Sequence, residues 1–220
     1  MARSLIASDD FNRASLGANW QQLNSAGAGN AVIIASTLLD GTASPPTEDG
    51  SAIGWIGAGT FSNDQYSSII ATDLSFGSVG TGMGVIVRAS TDADATRDYY
   101  YFSVRTNGVG FFGKIVNGTE TVFNTGAVTF TGGDRIELEA EGTTIRCCKN
   151  GTPLGGAWTA TDSSLSTGKP GASPYNGAAG CNGDNWEGGD MAAAAGMVDD
   201  SATDYVPLDQ ASEPRTVGVW

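Results

Sequence analysis

Residues 133–151 read GDRIELEAEGTTIRCCKNG, and this stretch decides the fold. Its apolar residues recur at every second position, Ile136, Leu138 and Ala140 before Gly142-Thr143, then Ile145 and Cys147 after it. That is the period of a half-buried strand, not of a helix. Taking Gly142-Thr143 as a two-residue hairpin loop fixes the register. Glu141 faces Thr144, Ala140 faces Ile145, Glu139 faces Arg146, Leu138 faces Cys147 and Glu137 faces Cys148. One face is then apolar, and the other carries Glu137, Glu139 and Glu141 with Arg146 opposite Glu139, a cross-strand charge pair worth ~0.2–1 kcal/mol.

The same three glutamates admit a second reading, as acid and base of a glycoside hydrolase. Retaining enzymes need two carboxyls ~5–5.5 Å apart, and neighbours on one face of a strand come that close. A catalytic pair also needs surroundings that separate the two pKa values and a wall for the sugar. The outward neighbours here are Arg, Cys and Thr, with no aromatic residue, so the expectation is the polar outer face of an edge-accessible sheet.

Working outward, period-two alternation continues in short segments: SLIASDDF, NAVIIAS, DQYSSIIATDL, GMGVIVRAS, DYYYFSVRT, VGFFGKIV. Asn-Gly at 107, 117 and 150 lies between such runs and signals type I′ hairpins. The expected chain is an antiparallel meander of roughly twelve strands, with no amphipathic helix before residue 190. Asn117-Gly118-Thr119 and Asn150-Gly151-Thr152 are formal glycosylation sequons, better read as turns. LLDGTASPPTEDG (38–50) and STDADATRD (90–98) read as surface loops, where binding usually sits.

Composition agrees. Gly at 32 of 220 residues is about twice its ordinary share, and charged residues are sparse at 16%. With 11 basic against 24 acidic side chains the net charge is −13, which repels phosphate backbones and anionic lipid, so neither nucleic acid nor membrane is an expected partner. No apolar run approaches a membrane span, and MARSLIASDDFNR has too short an apolar stretch for a signal peptide, so synthesis and folding in the cytoplasm are expected. Three cysteines, two of them adjacent, indicate no disulfide framework: Cys147 points to the core and Cys148 outward. Without His or a C-x-x-C pair they form no metal site.

After GDNWEGGD the character changes, and residues 191–220 read as a C-terminal arm on a sandwich of residues 1–190. Such a polar arm becomes ordered only by lying on its own sandwich or on a neighbour, with Trp220 as the anchor.

The words DDFNRASLGANW, FSNDQYSSI, GMGVIVRAS with DYYYFSV, GDRIELEAEGTTIRCCKNG, STGKPGASPYNG and DNWEGGD resemble a concanavalin A-like lectin/glucanase sandwich, in particular the laminin-G-like modules of phage and bacterial surface proteins. The resemblance covers about residues 5–190. It implies an all-β, antiparallel two-sheet jelly roll with an extended C-terminal arm. Glucanases of this superfamily carry Glu-x-Asp-x-Glu on their catalytic strand, and Glu139 stands where that pattern has Asp. The resemblance therefore implies a non-catalytic structural protein of a virion surface, a capsid decoration or tail module, which forms a homo-oligomer, contacts a capsid or tail protein and binds cell-surface glycans. A carbohydrate-binding module as the main role, or a glucanase-like hydrolase, are the alternatives. No cofactor is required. The family implies a structural calcium near the meeting of the termini, with Asp10 and Asp184 as ligands; turn capping is the other reading of both. Tyr99 and Tyr101 beside Arg97 are the candidates for a sugar-stacking platform, unless their rings pack against a loop or the second sheet.

Overall fold

The computed structural model describes residues 2–23, 31–34, 38–41, 52–74, 81–90, 97–174 and 181–192. Among them run sixteen strands: β1 (Arg3–Asp9), β2 (Trp20–Gln22), β3 (Ala31–Ile34), β4 (Leu38–Gly41), β5 (Ile53–Trp55), β6 (Gln65–Leu74), β7 (Gly82–Ala89) and β8 (Tyr99–Arg105). There follow β9 (Val109–Val116), β10 (Thr119–Ala127), β11 (Arg135–Glu141), β12 (Thr144–Lys149), β13 (Thr152–Pro153), β14 (Thr159–Thr161), β15 (Lys169–Ala172) and β16 (Cys181–Met191). A single 3₁₀ turn at Gly156–Trp158 is the one helical element among the described residues. The strands beyond the expected dozen include β2, β13 and β14, two or three residues each and too short for alternation to be visible.

Two antiparallel sheets form the sandwich. The first runs β13-β12-β11-β6-β16-β4-β3, with β1 also on β16 and β14 also on β12; the second runs β10-β9-β8-β7-β15-β5-β2. This is the expected all-β jelly roll, and the decisive hairpin has the expected register, from Glu137 opposite Cys148 to Glu141 opposite Thr144. Gly142 takes φ 55 while Thr143 does not, as in a Gly-X hairpin loop. At 117–118 and 150–151 both central residues have positive φ, the type I′ signature. The third Asn-Gly differs. Only Gly108 is left-handed there, and the Asn107 side chain accepts the Val109 N–H across a longer loop.

Between the sheets, Val85, Val87, Tyr100, Phe102 and Val104 meet Ile69, Ile136, Leu138, Ile145 and Cys147 in one core. Each fully buried side chain of this size contributes about 1.5–3 kcal/mol. At one end Trp20, Trp55 and Trp186 pack as a trio, Trp186 lying 4.7 Å from Trp20 and 5.3 Å from Trp55 between ring centres. A bulge between Asp184 and Glu187, with Asn185 at φ 49, turns Trp186 into the core. Its indole N–H donates to Ser67 Oγ at 2.9 Å, and Ser67 donates to the Gly171 carbonyl of the opposite sheet at 2.6 Å. The final strand reaches Met191, and the Ala192 N–H donates to the Ala2 carbonyl. Of the arm expected over residues 191–220, Met191 and Ala192 belong to this strand and its end, and residues 193–220, Trp220 among them, lie outside the described residues.

Candidate functional site

The glutamate row lies on the outer face of the first sheet, but the expected exposure is wrong. Strand β11 is interior, between β12 and β6, and Glu137 and Glu139 are only 1% and 6% exposed. What covers them comes from the other end of the chain. Arg3, on β1, reaches over the ring of Tyr66, with 4.9 Å from guanidinium carbon to ring centre. It donates to Glu137 Oε2 at 2.8 Å and to Glu139 Oε1 at 2.6 Å. Arg146 donates to Glu139 Oε2 at 3.2 Å and to Glu141 Oε2 at 2.7 Å. The row is thus a ladder, Glu137–Arg3–Glu139–Arg146–Glu141, in which each carboxylate is held by a guanidinium, and the Gly151 N–H adds a further bond to Glu137. Burial opposes Arg3's charge, but its hydrogen bonds and attraction to the two glutamates raise its pKa above the usual arginine range. Cys148 faces outward as expected yet is buried beside this ladder; burial, then the charges of Glu139 and Glu137, push its thiol up to about 12.

The aromatic platform is also corrected. Tyr99 and Tyr101 do share the face opposite Tyr100 and Phe102, but both rings are buried, at 0% and 1% exposure, in a second apolar cluster with Ile86, Ile115, Leu23 and Ala52. Arg97 beside them is buried too. A ring must offer an open face to stack on a sugar, and these two offer none; Tyr101 instead donates its hydroxyl to Glu120 at 2.6 Å.

Asp10 and Asp184 do come near one another, because Asp9 on β1 pairs with Trp186 on β16. Burial raises the Asp184 pKa, the Asn185 N–H opposes the rise, and the charges of Asp10 and Asp9 add to it. Each also caps locally: Asp10 accepts from Asn12, and Asp184 from Asn185, as the turn-capping reading requires. Asp9 is fully engaged by Arg13 and the Trp20 indole. Calcium takes roughly six to eight oxygen ligands. Asp10 and Asp184 would bring two carboxylates toward such an ion, and among the described residues no group of three acidic side chains that could hold a metal ion is found.

The open site lies elsewhere, at the end of the sandwich where β7 stops. Arg88, with φ 53 and 2% exposure, is the hub. Its guanidinium donates to the carbonyls of Asn63 at 2.9 Å, Leu165 at 2.9 Å and Gly142 at 2.8 Å, so one side chain fixes three loops. Burial pulls its pKa down. A buried non-glycine residue in the left-handed region stores about 1–3 kcal/mol and persists only where its surroundings hold it. Gln65 holds this one, accepting the Arg88 N–H at 3.0 Å and donating to Gly168 at 3.1 Å.

The 162–168 segment is pinned from the core. Tyr100 donates its hydroxyl to Asp162 at 2.6 Å and accepts the Leu165 N–H, while Lys114 binds the other Asp162 oxygen at 2.6 Å. Burial and the Asp162 hydrogen bond push the Tyr100 hydroxyl up to about 12, keeping it a donor. Two clefts flank Arg88 and share Ser166. One, of about 490 Å³, is lined by Ser90, Asp98, Ser164, Ser166, Thr167 and Lys169; the other, of about 470 Å³, by Asn63, Asp64, Gly142 and Thr143. Volumes of this size suit a small ligand, and a lining of hydroxyls with Asp98 and Lys169 in the first cleft and Asp64 in the second suits a polyhydroxylated one. Sequence reasoning missed Arg88, Lys169 and Asp162. The only signal was a charged residue closing the apolar run GMGVIVRAS.

No protein-family model matches the sequence, and no curated protein matches it. Solved structures do resemble the sandwich. A protein of unknown function with a galectin-like fold from Bacillus subtilis superposes with a TM-score of 0.57 at 10% identity, over 86% of this chain and 98% of that one. Carbohydrate binding module CBM66 from Bacillus subtilis gives 0.51 at 17% identity, over 77% and 95%. The GH43 protein BlXynB from Bacillus licheniformis gives 0.55 at 12% identity, over 84% of this chain but 39% of that one. At such identities the likeness defines the class of fold, a lectin-like jelly-roll sandwich, and nothing narrower.

Proposed function

We propose that this chain is a non-catalytic, glycan-binding structural module of a virion surface, a capsid decoration or tail module that works as a homo-oligomer. The observation that carries it is a contrast between two regions. The carboxylates best placed for hydrolysis are closed under Arg3 and Arg146, whereas the hydroxyl-lined clefts around Arg88 stand open. A hydrolase needs a carboxylic acid in contact with the glycosidic oxygen, and Glu137 and Glu139 have no such access. The likeness to a carbohydrate binding module supports the binding half of the reading. The acidic surface, sparse charge and laminin-G-like wording support the virion half.

Two assays on the full chain test it. Incubation with immobilised and soluble polysaccharides should give saturable binding without release of reducing ends; turnover lost in Glu137→Gln would overturn the non-catalytic reading. Native mass of residues 1–220 beside a version ending at residue 192, which keeps the whole last strand, should show a closed oligomer only for the longer chain. A monomer that also fails to bind capsid or tail lattices would remove the virion role and leave a free-standing carbohydrate-binding module.

A further inference from the structure

Resting on the glycan-binding reading, we propose that the larger cleft selects a sugar bearing one anionic substituent, and that Lys169 is the residue that pairs with it. The charge inventory points there. In a chain with 24 acidic and 11 basic side chains a cation seldom lacks a carboxylate. Arg3, Arg13, Arg135, Arg146, Lys114 and Lys149 each hold one, Arg88 is engaged by carbonyls and lies 3.7 Å from Asp64, and Arg97 and Arg105 are engaged as well. Lys169 makes no ion pair and no side-chain hydrogen bond among the described residues, and it lines the cleft.

The rest of the lining gives the site a direction. Asp98 lines the same cleft and is held by the Asn117 N–H at 2.6 Å, so its carboxylate is fixed in place. It repels an anion and accepts from hydroxyls. A ligand with both features therefore seats its anionic group at Lys169 and its hydroxyls toward Asp98, Ser90 and Thr167. The net charge of −13 repels long polyanions, which restricts the site to a single charged group on an otherwise neutral chain. Carboxylate and sulfate share this chemistry, and the assay separates them.

The test is equilibrium binding of the full chain to oligosaccharides carrying a uronate, a sialate or a sulfate, each beside its carboxyl-reduced, desialylated or desulfated counterpart. At least one acidic form should bind about tenfold or more tighter than its neutral counterpart, the worth of one charge-assisted hydrogen bond. Lys169→Met should erase that preference and Lys169→Arg should keep it. Lys149→Met, which removes a cation outside the cleft, should leave it unchanged. Equal binding of neutral and acidic forms, with Lys169→Met unaltered, overturns the anionic selection and leaves glycan binding standing. Failure to bind any oligosaccharide overturns both.

Discussion

Replacing Arg3 by Met tests whether the glutamate row is a closed structural ladder. Arg3 makes three hydrogen bonds to two carboxylates, at 3.2 and 2.6 Å to Glu139 and 2.8 Å to Glu137. Removing one partner of a buried ion pair costs about 3–5 kcal/mol. Two features reduce that figure here. The Arg3 side chain is 21% exposed, so water reaches the gap, and both glutamates keep another donor, Gly151 N–H for Glu137 and Arg146 for Glu139. The expected loss is about 2–4 kcal/mol at pH 7, or roughly 5–12 °C in Tm for a domain of this size. Because the folded-state pKa of Arg3 is raised, its contribution is complete below the ordinary arginine value and is lost only as pH rises beyond it. From the arginine side, then, the loss should be the same at pH 6 and pH 8. The assay is thermal and urea unfolding of wild type, Arg3→Met, Glu139→Gln and the double variant. The cycle should give a coupling of about 1.5–3 kcal/mol. A Tm change below about 2 °C with no coupling would refute the ladder and return Glu137 and Glu139 to the list of accessible carboxylates.

Further predictions concern groups beside the two sites. Burial pushes Asp134 up, but hydrogen bonds from Lys149, Thr131 and Asn150 outweigh it and hold the carboxyl at about 2. Its contribution is therefore present above the ordinary aspartate value near 4 and is lost as pH falls toward 2, so Asp134→Asn should destabilise at pH 7 and be nearly neutral at pH 2, read by urea unfolding at both. Cys147 and Cys148 should resist iodoacetamide at pH 8 in the native protein and react fully in urea, measured by mass spectrometry of their peptide; rapid native labelling would contradict the burial that raises both thiols.

How much of this was legible in the sequence depends on the range over which each feature acts. Alternation and turn chemistry are local. The 133–151 hairpin therefore gave its register from residue types alone, and Asn117-Gly118 and Asn150-Gly151 gave their turns. The same alternation put Leu138 and Cys147 in the core and the glutamates on the opposite face. It could not say that this opposite face would be covered. The covering side chain, Arg3, lies 134 residues from Glu137 along the chain and arrives only because β1 pairs with β16.

The expected exposure of the tyrosines and of the glutamate row failed for the same reason. Tyr99 and Tyr101 were placed on the correct face, but whether a second layer buries that face is not written in their spacing. The cleft around Arg88 depends still more on assembly, since its guanidinium joins carbonyls from three separate loops at residues 63, 142 and 165. Residue types alone determined the longer strands, the turns at 117–118, 142–143 and 150–151, the two faces of the 133–151 hairpin and the net charge of −13, because these follow from nearest neighbours and from summed charge. Tertiary structure alone decided which polar groups are shut in and which stay open to a ligand, because hydrogen bonds between distant strands, not residue type, set that access.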